Sequence, residues 1–152
     1  MRAGWALVSF ILMTSANSAH ADFQRAAPLA GLSSFRIVIE NLNENAMECG
    51  VSREDLDRGI RFIINQSKID LTQSSERADG TIYLNVLLTS DCAAATKLEV
   101  ETPTTIMRTG RFAYATIWKE AGYATRGRIF GQVQNFAREL VNDWNLVNRT
   151  MP

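Results

Sequence analysis

The side chains with chemistry to offer fall into two groups. Cys49 and Cys92 are the chain's two cysteines, and Arg108, Arg111, Phe112, Tyr114, Trp118 and Lys119 crowd one stretch downstream. In an oxidising compartment two cysteines most simply pair with each other. Closing the loop between these two is worth about 4 kcal/mol by chain entropy. The rival reading is a reactive thiol at Cys49, just ahead of a helix start where thiolates are favoured. No C-x-x-C spacing supports it, so a Cys49–Cys92 disulfide is the expectation. Phe112, Tyr114 and Trp118 alternate along a strand and so share one face. Either they pack beneath a helix as core, or they lie open with Arg108, Arg111 and Lys119 as a basic rim. Aromatic and arginine side chains are enriched in protein interfaces, so the second reading predicts a protein-docking strand.

Other chemistry is excluded by what is missing. The single histidine is His20, inside a segment expected to be removed. Ser-His-Asp and Cys-His catalysis then have no base, and His-liganded zinc has no ligand. Glu99 and Glu101 share a strand face and could in principle form the carboxylate pair of a hydrolase. Plain alternation is the better account: they solvate the outer face of a strand whose inner face is Leu98 and Val100. An EF-hand loop starting at Asn41 fails, because Ala46 and Ser52 stand where glycine and glutamate are needed. Gly110-Arg111-Phe112-Ala113-Tyr114 is similar to the aromatic strand of an RNA-recognition motif but lacks the glycine after the basic residue. No catalytic residue, metal site or cofactor is expected, and no nucleic-acid partner.

Location follows from the start of the chain. Arg2, an apolar run from Ala3 to Met13 and the A-x-A step Ala19-His20-Ala21 form the three parts of a secretory signal peptide. The run is about eleven residues, short of the ~20 needed to span a bilayer. Residues 1–21 are therefore expected to be a cleaved leader, and residues 22–152 one exported domain in the periplasm or outside the cell, with no transmembrane span. With 46% apolar residues the whole chain is too hydrophobic for disorder.

The elements that must position these groups can be read from periodicity. Phe35 to Leu42 reads as a strand, and Asn41 to Gly50 as a polar connection. Ser52 with Asp55, plus the Val51/Leu56 staple, starts a helix over about Arg53–Ser67, with Leu56, Ile60, Ile63 and Ile64 on its buried face. A short strand is expected within Lys68–Thr72. Alternation predicts a strand over Thr81–Ser90, another at Lys97–Glu101 stopped by Pro103, and one over Arg111–Lys119. A brief paired piece at Tyr123–Thr125 precedes a long helix over Arg128–Asn148. The class is α+β: a mostly antiparallel sheet of four to five strands, two helices on one face, in strand-helix-strands-helix order.

Charge divides along the chain. Residues 22–101 hold 8 basic and 13 acidic side chains, a balance of −5, and residues 102–152 hold 7 and 3, a balance of +4. The basic half contains the aromatic strand.

Phe35-Arg36-Ile37-Val38-Ile39, then Cys49-Gly50-Val51-Ser52 opening a helix, then Thr81-Ile82-Tyr83-Leu84-Asn85-Val86 resembles the small periplasmic domains of the TolB N-terminal type and auxiliary proteins of envelope assembly. The likeness is one of element order over most of residues 22–152, and no residue role is carried over with it. It implies a partner-binding module of the bacterial envelope. The expected function is thus an exported, non-catalytic docking module with a protein partner. A carboxylate-dependent hydrolase and a small apolar-ligand carrier are the alternatives, the carrier requiring a deep apolar cavity.

Overall fold

The computed structural model describes residues 21–149. The expected leader falls outside them, Ala21 apart. Residues 21–26 are helical (α1) and pass into a 3-10 turn at Ala27–Leu29. Then follow β1 (Ser34–Ile39), α2 (Asn45–Glu48), α3 (Arg53–Ile64), β2 (Asp70–Leu71), β3 (Gly80–Leu88), β4 (Ala94–Ile106), β5 (Arg111–Ala124) and α4 (Ile129–Asn148). The five strands form one sheet in the order β2-β1-β3-β4-β5.

The α+β class holds, but the sheet is mixed rather than mostly antiparallel. β1 runs parallel to both β2 and β3, and only β3-β4-β5 is an antiparallel meander. The cause is connectivity: each step from β1 to a neighbouring strand passes through α3 or the chain beyond it, and such crossovers give parallel pairs. Among the described residues there are four helices instead of two, because α1 and the single turn of α2 occupy segments that read as loop in the sequence.

The α3 start forms as its residues dictate. Ser52 Oγ accepts the Asp55 N–H at 3.1 Å and donates to the Asp55 carboxylate at 2.7 Å. Leu56 is buried and Val51 packs against the core, which closes the hydrophobic staple. α3 and α4 pack on each other, α3 touching β1 and α4 touching β4 and β5. Under them lie Phe35, Ile82, Leu84, Leu98, Val100 and Trp118, all buried. The other sheet face carries Tyr83, Asn85, Lys97 and Glu99, half-buried or exposed.

Two strands outrun their expected ends. β4 continues through Pro103 to Ile106, and β5 continues through Gly122 to Ala124, pairing with β4 throughout. Proline stops a strand only where an N–H is required. The last β3 partner of β4 is at Glu101, so Pro103 faces no strand on that side.

Candidate functional site

Cys49 and Cys92 are bonded, with Cα atoms 5.4 Å apart and 43 positions between them in sequence. Cys49 caps α2, and Cys92 sits in the β3–β4 turn at φ 62°. That left-handed backbone is unusual for a residue with a Cβ. The bridge therefore ties the approach to α3 to the tip of the first hairpin.

The aromatic strand is divided by a bulge. Val100 pairs with Trp118, but the next β4 residue, Glu101, pairs with Thr116, leaving Ile117 as the extra residue. An extra residue exchanges the faces of everything beyond it. Trp118 therefore turns under the helices while Tyr114 and Phe112 turn away. Trp118 is 3% exposed, against 66% for Tyr114 and 77% for Phe112. The expectation of three aromatics on one face is thus corrected: Trp118 belongs to the core. Its indole N–H donates to Asp143 Oδ2 at 2.7 Å, and Arg25 Nη2 donates to Asp143 Oδ1 at 3.0 Å. Arg25 also pairs with Glu120 at 2.6 Å. The Asp143 carboxylate raises the Arg25 guanidinium above its ordinary value.

Past Glu101 and Thr116 the two strands form an arm with no third strand beside it among the described residues. Five β4 residues, Thr102 to Ile106, make it about 17 Å long at the rise of an extended chain. The turn at its tip is closed by N–H groups of Thr109 and Gly110 donating to Ile106 O at 3.0 and 2.8 Å. Gly110 stands there at φ 64°, where a side chain would be strained. Met107 and Ile106 are exposed at the tip, as are Arg108 and Arg111. Alternation puts Phe112 and Tyr114 on one face of the arm with Pro103 and Thr105, and Ile106 and Arg111 on the other, with Met107 and Arg108 in the turn between them. Lys119 is exposed but lies below the bulge, opposite Glu99, away from the other basic residues.

Elsewhere on the open face Leu87 and Tyr123 are exposed on either side of Ala95, and the polar side chains between them and the arm pair with one another. Tyr83 donates to Glu40 at 2.7 Å, Asn85 donates to the same carboxylate, and Lys97 pairs with Glu99 at 2.9 Å. The Tyr83 phenol is raised, chiefly by that hydrogen bond to Glu40. Glu99 and Glu101 do share this face, with Glu99 held in its ion pair. Among the described residues no group of three or more His, Cys, Asp or Glu could hold a metal ion. None of their helices is long and apolar enough to cross a membrane.

A concavity, missed in the sequence, opens where α3 and α4 begin. It encloses about 340 Å³ and is lined by Val51, Leu56, Ile129 and Phe130, with Asp55 and Arg58 at its edge. Gly59 lets the Phe130 ring close against α3: a Cβ there would come within 2.6 Å of it. A lone glycine on the buried face of a helix was the available signal. Compared with family models, curated proteins and solved structures, the chain matches none.

Proposed function

We propose that the protein is an exported, non-catalytic binding module that docks a partner protein of the bacterial envelope through the β4–β5 arm. The observation that carries this reading is the exposure of Phe112 and Tyr114 on one face of the arm, with Arg108 and Met107 at its tip and Arg111 on its other face. Two-stranded ribbons are marginal in water by themselves, so one loaded with exposed aromatics gains from being covered. Aromatic and arginine side chains are also the usual hot spots, each worth ~2 kcal/mol or more at an interface. The disulfide and the leader-like start support export. The resemblance of the sequence to TolB-type periplasmic domains in its expected element order is in keeping with the same reading.

The test is crosslinking in envelope extract followed by peptide mapping. Crosslinks should concentrate on residues 102–116 and vanish in Phe112→Ala/Tyr114→Ala. A folded double variant with unchanged crosslinks removes the arm from the function. The apolar-carrier reading draws on the α3–α4 cleft, whose volume is at the small end for ligand pockets. Its mark would be binding of a small apolar dye that Phe130→Ala abolishes. A hydrolase is a weaker third reading, to be revived only by an activity that Glu99→Gln destroys.

A further inference from the structure

The arm has two edges, and they are not equivalent. Thr89 N–H donates to Ala93 O at 2.8 Å where the β3–β4 hairpin closes. Counting by twos along β4 then turns the backbone groups of residues 93, 95, 97, 99 and 101 toward β3. The Pro103 nitrogen falls on that same side, where β3 has ended. Having no N–H, it blunts the β4 edge of the arm against an added strand.

The β5 edge has no such guard. Phe112, Tyr114 and Thr116 stand opposite Thr105, Pro103 and Glu101, so their N–H and C=O groups point outward by the same alternation. β5 is the last strand of the sheet, and no proline occurs from Arg111 to Ala124. Charge identifies what fits there. The arm itself, residues 102–116, holds Arg108 and Arg111 and no acidic residue. A second copy of this edge would bring like charges together, whereas an acidic strand would be attracted.

Resting on the docking reading above, we infer that the partner is engaged by strand addition: an extended acidic segment pairs with β5 over Arg111–Thr116 as a sixth strand. Main-chain hydrogen bonds supply affinity in this mode, and alternate side chains supply specificity. Apolar residues of the segment lie beside Phe112 and Tyr114, and its acidic residues alternate onto the side of Arg111.

The probe is a short fluorescein-labelled peptide of alternating valine and glutamate, titrated by anisotropy against the whole disulfide-bonded protein. Two controls carry lysine for glutamate, or N-methyl groups that remove the peptide's backbone donors. The acidic peptide should bind about ten-fold or more tighter than either control, a gap of ~1.4 kcal/mol. It should also protect the Phe112, Tyr114 and Thr116 amides from hydrogen exchange. Thr116→Pro, which removes an outward N–H, should abolish binding while Thr116→Ala retains it; the N-methyl control decides if Thr116→Pro does not fold. Equal binding of the N-methylated peptide, or no binding of the acidic one, overturns strand addition. A dimer in sedimentation that Thr116→Pro dissociates overturns it in favour of a second copy. Protection of the same amides by phosphatidylglycerol vesicles but not by peptide overturns it in favour of a lipid surface. Envelope crosslinks lost in Phe112→Ala/Tyr114→Ala but intact in folded Thr116→Pro refute strand addition alone and leave the docking reading standing.

Discussion

Trp118 and Tyr114 are four positions apart and do opposite things. Trp118 fills the core and gives its N–H to Asp143, which is 4% exposed. Removing a donor from a buried carboxylate costs about 1–3 kcal/mol. Trp118→Phe should therefore lower the urea midpoint clearly, while Phe112→Ala and Tyr114→Ala should each stay within about 0.5 kcal/mol of the parent. An arm variant as destabilising as Trp118→Phe would mean that the arm is structural. Asp79 offers a pH test. Its carboxylate accepts the N–H groups of Ser33 and Ser34 at 2.8 and 2.9 Å and the Ser33 hydroxyl at 3.0 Å. These bonds, the Ser33 N–H first, lower its pKa below 3.8. A lowered carboxylate stabilises the fold above its unfolded value and loses that contribution as pH falls through the folded one. The stability gap between parent and Asp79→Ala should be level at neutral pH and narrow on acidifying below about pH 4. A gap in urea midpoints that stays constant down to pH 2 would contradict it.

At the scale of elements, the arm is governed by one proline and one bulge. The bulge at Ile117 keeps the β5 edge below it near α1, where Arg25 reaches Glu120, and frees the edge above it. Pro103 closes the opposite edge. Pro103→Val would restore an N–H there and give the arm two unlike open edges. Unlike edges associate head to tail without closing, so growth is open-ended. The variant should sediment as larger, concentration-dependent species than the parent at the same concentration. Unchanged sedimentation would show that Pro103 guards nothing.

At the scale of the molecule, the disulfide sets the margin of stability. A bridge worth about 4 kcal/mol is a large share of the 5–15 kcal/mol that folded domains hold. It joins the α2–α3 approach to the β3–β4 turn, two places separated by 43 positions in sequence, and it holds Cys92 in its left-handed conformation. Cys49→Ser/Cys92→Ser, or reductant, should lower the urea midpoint substantially. A reduced protein as stable as the oxidised one would mean that the bridge is incidental and would weaken the case for export.

Local physics made much of this legible in the chain itself. The α3 cap and staple, the alternation of β3, the stripe of α4 and the pairing of two cysteines need only neighbours in sequence or a count of residues. Sequence also singles out Phe112, Tyr114, Arg108 and Arg111 as a group, but leaves open whether the rings lie in the core or at the surface. What the tertiary structure decided depends on partners distant in sequence. The direction of β1 follows from where its crossovers land, and the length of β4 past Pro103 from where β3 begins. The bulge at Ile117 exists only relative to Glu101 on the neighbouring strand, so no periodicity within β5 could separate Trp118 from Tyr114. Alternation assigns residues to two faces, but only the strand alongside fixes where the count slips, and here that slip sends one ring into the core and leaves two outside.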